Sequence, residues 1–135
     1  MHARRPGITG RAGAAVRQKE YVMSKLQEMS ARRKDAHAKL LEAKSRVYKA
    51  FLEMERAAYS DGALSRKQKE LIAVGISVVI DCESCMQWHI EQAAATGASE
   101  SEILEAVEVG IEMAGGPGTV SARFALEVMD SVFPK

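Results

Sequence analysis

The chain has 135 residues, a formal net charge of +1 and 47% hydrophobic residues, the size and composition of one domain that can bury a core without staples. Its longest apolar run, Leu71 to Ile80, is about half of what spans a bilayer, which excludes a membrane span built from it. Residues 1–40 carry ten Lys/Arg against three Asp/Glu, and residues 81–135 two against ten; with no aromatics interleaved in the basic part, this polarity reads as an intramolecular or intersubunit match, not a nucleic-acid surface.

Residues 1–20 (MHARRPGITGRAGAAVRQKE) hold three Gly, one Pro and five Arg/Lys without apolar periodicity. They are expected to form a flexible or loosely docked basic arm ahead of a single helical domain spanning 21–135. His2 lies in the arm and is assigned no role. The basic start lacks the apolar stretch of a signal peptide, so a cytoplasmic location is expected.

From Tyr21 to Ala43 the pattern turns helical, with Val22, Leu26, Met29, Ala36, Leu40 and Leu41 among many charges. His37, on this charged segment, reads as a solvated surface histidine. A second helix is expected over Ser45–Tyr59, with Val47, Tyr48, Phe51, Leu52 and Met54 as its apolar face, ended by Asp61-Gly62. Ser65 and Gln68 form a capping box. The helix they open is apolar all round from Leu71 to Ile80, which predicts the central buried helix. Asp81-Cys82 is read as a turn, followed by a helix to Thr96 that stops at Gly97. Ser99 and Glu102 cap the next helix, which runs to about Met113. Gly115 to Gly118 breaks the chain before a last helix over Thr119–Val132. No stretch alternates as a strand would, so the fold class is all-α, a compact bundle of about six helices. With only 5% aromatic residues and seven Met, its core rests on Ala, Val, Leu, Ile and Met.

The chemistry concentrates in Glu70–His89, ELIAVGISVVIDCESCMQWH. Cys82 and Cys85, the only cysteines, are i and i+3, and His89 follows four beyond Cys85, so a helix starting at Cys82 puts all three on one stripe. Two sulfurs one turn apart can be joined with little backbone movement. A thiolate, the reactive form, is favoured by the helix N-terminus and by His89 as proton acceptor. Glu83, beside Cys82, works against it. Glu70 lies twelve residues before Cys82, about 18 Å away on a continuous helix. It can reach His89 only if the chain reverses at Asp81, and can then hold the imidazole and relay its proton. A zinc site from Cys82, Cys85, His89 and Glu70 is the rival reading, although structural zinc normally draws its ligands from two separated knuckles. Met86 and Trp88 are assigned to core packing or a subunit contact. Tyr21, Tyr48 and Tyr59 are available to line a pocket, and nothing in the sequence selects among them.

The pattern Glu70, eleven residues, Cys82-x-x-Cys85, three residues, His89 resembles the motif of alkylhydroperoxidase D and its relatives in the carboxymuconolactone decarboxylase superfamily. The similarity extends over roughly residues 40–130 and includes the Gly115-Gly-Pro117 break. The resemblance implies an all-helical subunit assembling into dimers, trimers or hexamers, with a disulfide site that needs no bound cofactor. It implies that Cys85 attacks a hydroperoxide, that Cys82 resolves the product to a disulfide and meets the reductant, and that His89 and Glu70 relay the proton. The reductant it implies is a thioredoxin-like protein or a lipoyl-bearing adaptor. This chain departs from alkylhydroperoxidase D in carrying Ser84 where a histidine precedes the second cysteine. The decarboxylase branch typically lacks the cysteine pair, so lactone decarboxylation fits poorly. A disulfide-exchange adaptor or redox sensor without peroxidase activity is the alternative function.

Overall fold

The computed structural model describes residues 9–135; the first eight residues of the expected arm lie outside them. Among the described residues there are six α-helices and no strand: α1 (Thr9–Glu42), α2 (Arg46–Ala58), α3 (Arg66–Val79), α4 (Glu83–Ala95), α5 (Glu100–Ala114) and α6 (Gly116–Val132).

Helix α1 begins twelve residues before the expected Tyr21, so residues 9–20 are helical and not an irregular arm. Ala12, Ala14, Ala15, Gln18, Lys19 and Glu20 are strong helix formers, and together they outweigh Gly10 and Gly13, each of which costs about 1 kcal/mol in a helix. This extension buries almost nothing: among the described side chains of α1, Leu26 alone is buried. Around Leu26 the helix is pinned to α4 and α6. The Gln87 amide donates to the Leu26 carbonyl at 3.0 Å and to Ser30 Oγ at 3.1 Å, and Lys25 lies 4.8 Å from the Phe124 ring centroid.

The body of the subunit is α3 to α6, with α3 packed against the other three. Val74, Val78, Met86, Ile90, Ile103, Val107, Ala125 and Val128 form its buried centre. Both capping boxes are present: Ser65 with Gln68 opens α3, and Ser99 with Glu102 opens α5. The last break is shorter than its four-residue sequence suggests, because Pro117 sits in the first turn of α6, where its missing N–H costs nothing.

Helix α3 is central, but its burial covers one face. Ala73, Val74, Ser77 and Val78 are buried, while Ile72, Ile76 and Val79 remain exposed. With Val109 and Met113 of α5 they line an apolar cleft of ≈ 620 Å³. Helices α3 and α5 cross closely at Gly75 and Gly110. A Cβ on Gly110 would stand 2.6 Å from the Gly75 carbonyl oxygen and 2.9 Å from Val78 Cβ. Because backbone cannot rotate away as a side chain can, Gly110→Ala must push the helices apart. Overpacking of this kind costs about 1–3 kcal/mol, against a helix-propensity gain of about 1 kcal/mol. A net loss of up to about 2 kcal/mol is expected, read as a lower urea midpoint at an unchanged slope.

Candidate functional site

The reversal between α3 and α4 builds the site. Asp81 adopts φ 52°, a left-handed conformation that aspartate tolerates better than most residues. Its Oδ1 accepts a hydrogen bond from Ser121 Oγ at 2.7 Å, tying the turn to α6. The Cys82 N–H donates to the Ser77 carbonyl at 3.1 Å. From there α4 returns along α3, and the expected meeting occurs: His89 Nδ1 and Glu70 Oε2 are 2.8 Å apart.

Glu70 is 2% exposed, and a carboxylate so buried must be paired. One oxygen faces His89 and the other lies 3.6 Å from Arg66 Nε, one helical turn earlier. The Tyr59 ring stacks on the imidazole with centroids 5.3 Å apart and planes inclined by 29°. Burial raises the Tyr59 phenol above its ordinary pKa, helped by the Glu70 and Glu55 carboxylates, so it remains a neutral wall. With Nδ1 committed to Glu70, His89 has Nε2 for exchange with a reacting group.

Cys82 and Cys85 are joined in a disulfide, with Cα atoms 5.2 Å apart. Cys82 is also the N-cap of α4, its sulfur accepting from the Cys85 N–H at 3.2 Å. Both sulfurs therefore lie at the helix start, where the dipole favours an anion. The opposing charge of Glu83 is offset by Lys25, 3.1 Å away.

Cys85 and His89 open together on a cavity of ≈ 530 Å³ whose far wall comes from α1 and α2. Glu70 and Tyr59 border a second opening of ≈ 550 Å³. Two residues on the first cavity were not selected by the sequence. His37 is exposed, as read, but its Nδ1 lies 2.7 Å from Tyr48 Oη above the cavity. Trp88 lines both openings and lies under Arg33, whose Cζ is 4.4 Å from the ring. Met86, by contrast, is fully buried in the core. No spacing rule links His37 to Cys85, because their approach depends on how α1 lies across α4. Among the described residues no three His, Cys, Asp or Glu side chains are grouped to hold a metal ion. Cys82 and Cys85 are paired with each other, and His89 with Glu70.

Comparison with known proteins follows the same lines. The model of the Carboxymuconolactone decarboxylase family matches residues 45–128. Uncharacterised protein 4 in the cox locus of Paracoccus denitrificans is 37% identical over 83 residues, covering 62% of this chain and 75% of that protein. An uncharacterised protein of Cupriavidus necator is 36% identical over 91 residues, 67% of this chain and 80% of its own length. In three dimensions the chain is similar to a carboxymuconolactone decarboxylase family protein from Legionella pneumophila, with a TM-score of 0.76 and 30% identity over 80% of this chain and 96% of that one. A Thermotoga maritima protein of the same family, described with a suggested involvement in the antioxidative response, superposes with a TM-score of 0.72 and 26% identity over 78% of this chain and 89% of that one.

Proposed function

The chain belongs to the carboxymuconolactone decarboxylase family, and from that premise we propose that it reduces hydroperoxides through a Cys82–Cys85 dithiol. The observation that carries this reading is the cavity shared by Cys85 and His89, with His89 held by a buried Glu70. The Cys85 thiolate attacks the terminal peroxide oxygen and the O–O bond breaks. The leaving alkoxide takes a proton from the protonated His89, giving an alcohol and a Cys85 sulfenic acid. The Cys82 thiol then gives its proton to the now neutral His89 and attacks the Cys85 sulfur, forming the disulfide. The displaced hydroxyl takes that proton back and leaves as water. Two electrons and two protons from an external dithiol, on a thioredoxin-like protein or a lipoyl group, restore the start. Glu70 keeps the imidazole in one orientation and balances its charge when it holds two protons. The antioxidative association of the Thermotoga relative points the same way.

A reducing cytoplasm suits a pair that must be regenerated in this manner. None of the helices among the described residues is long and apolar enough to cross a membrane. Assembly into a homo-oligomer is part of the proposal, because the exposed Ile72, Ile76, Val79, Val109 and Met113 form a continuous apolar face of the kind that marks an interface. A monomer by light scattering would remove that part.

The test is stoichiometric. Protein reduced with a dithiol and freed of it should convert cumene hydroperoxide to the alcohol one for one, with loss of two thiols. Rapid exchange with disulfides but no peroxide consumption would instead support the adaptor reading.

A further inference from the structure

The wall facing Cys85 contains residues that precede the family-matched segment 45–128. Arg33, Lys34 and His37 of α1 line the cavity together with Phe51 and Leu52 of α2 and Trp88 of α4. Its charges do not cancel. Glu55 is the one carboxylate in the lining, and it acts on Tyr59. Among the described residues neither Arg33 nor Lys34 has a carboxylate within ion-pair distance. Arg33 is also held in place. Its Cζ lies over the Trp88 ring, 4.4 Å from the centroid, where a planar guanidinium carries five N–H donors suited to a carboxylate. Lys34, which is exposed, adds a second positive charge. Phe51, Leu52 and Trp88 share the lining with these cations and with Cys85, in a volume typical of small-molecule sites.

We propose that this cavity binds an amphipathic carboxylate, its anionic head on Arg33 and Lys34 and its apolar body against Phe51, Leu52 and Trp88. Resting on the peroxidase reading above, the hydroperoxide taken by Cys85 is then one carried on a fatty acid. The reactive pair belongs to the family-matched segment, and the choice of substrate belongs to the helix this chain places in front of it.

Trp88 is the only tryptophan, so its fluorescence reports the cavity without any turnover. Octanoate should bind saturably and about tenfold more tightly than octanamide, the preference expected of one good charge-assisted contact. Raising the salt should weaken octanoate alone. The double variant Arg33→Gln/Lys34→Gln, altered at one half-buried and one exposed position and checked by circular dichroism, should erase the preference. Because Arg33 touches the ring, affinities and not amplitudes are compared. In turnover, a fatty-acid hydroperoxide should show a KM about tenfold below that of its methyl ester, and the double variant should bring the two together. Equal binding of octanoate and octanamide would overturn the proposal whatever the peroxidase result, as would equal KM values for acid and ester. Selective octanoate binding with no peroxide consumed would instead fell the peroxidase reading and uphold the ligand class.

Discussion

Replacing Cys85 with serine is expected to reduce dithiol-dependent peroxide turnover to the uncatalysed background. The hydroxyl is almost wholly protonated near neutral pH and is a poor nucleophile toward peroxide oxygen, so neither His89 nor the helix start can rescue it. The companion variant separates the two sulfurs. Cys82→Ser leaves the attacking thiol and removes the one that closes the disulfide, so it should consume one peroxide per chain and stop with a sulfenic acid on Cys85 that a dimedone reagent traps. The inference about order comes from position: Cys85 lines the cavity with His89, and Cys82 is absent from that lining. Turnover surviving in the Cys85 variant, or a sulfenic acid trapped on Cys82, would reverse the assignment.

Glu70→Gln is expected to have the second largest effect. Glutamine keeps the size of the side chain and an oxygen for the His89 N–H, but it cannot balance an imidazolium or pass a proton on. Positioned acid–base groups contribute about 10²–10⁴-fold, and a loss of about 10²-fold in kcat/KM is expected because His89 itself remains. The pH–rate profile should change with it, because the carboxylate 2.8 Å from Nδ1 is no longer there to pass a proton on. The stability cost should be modest. Arg66, the other partner of Glu70, is half-exposed on its side chain and can turn to water. An unchanged profile with full turnover would make Glu70 a structural partner only.

Much of this was legible in the sequence because the relevant rules are local. Capping boxes at Ser65 and Ser99 need a few consecutive residues, and the Cys82–Cys85–His89 stripe needs only a helix. The Glu70–His89 contact required one non-local step, the reversal at Asp81, and arithmetic along two helices supplied it. What escaped depends on how elements lie across one another. Composition made residues 9–20 look irregular, since glycines are conspicuous and the helix formers around them are not. An all-apolar α3 suggested burial on every side, but half of that surface faces outward in the subunit. His37 came to face Cys85 only when α1 was seated on α4 through Leu26, Ser30 and Gln87, a fit that no periodicity encodes.

Cys82 serves two purposes at once, as half of the disulfide and as the cap of α4. A disulfide sulfur accepts the Cys85 amide hydrogen weakly. Once the bond opens, any negative charge that forms on the freed Cys82 falls beside the first-turn N–H groups of α4, where an anion is favoured. The dithiol form thus gains a firmer helix start than the oxidised form, and whatever lowers the free energy of the reduced state raises the reduction potential of the pair. The position of Cys82 at the head of α4 biases the couple toward its open, dithiol form.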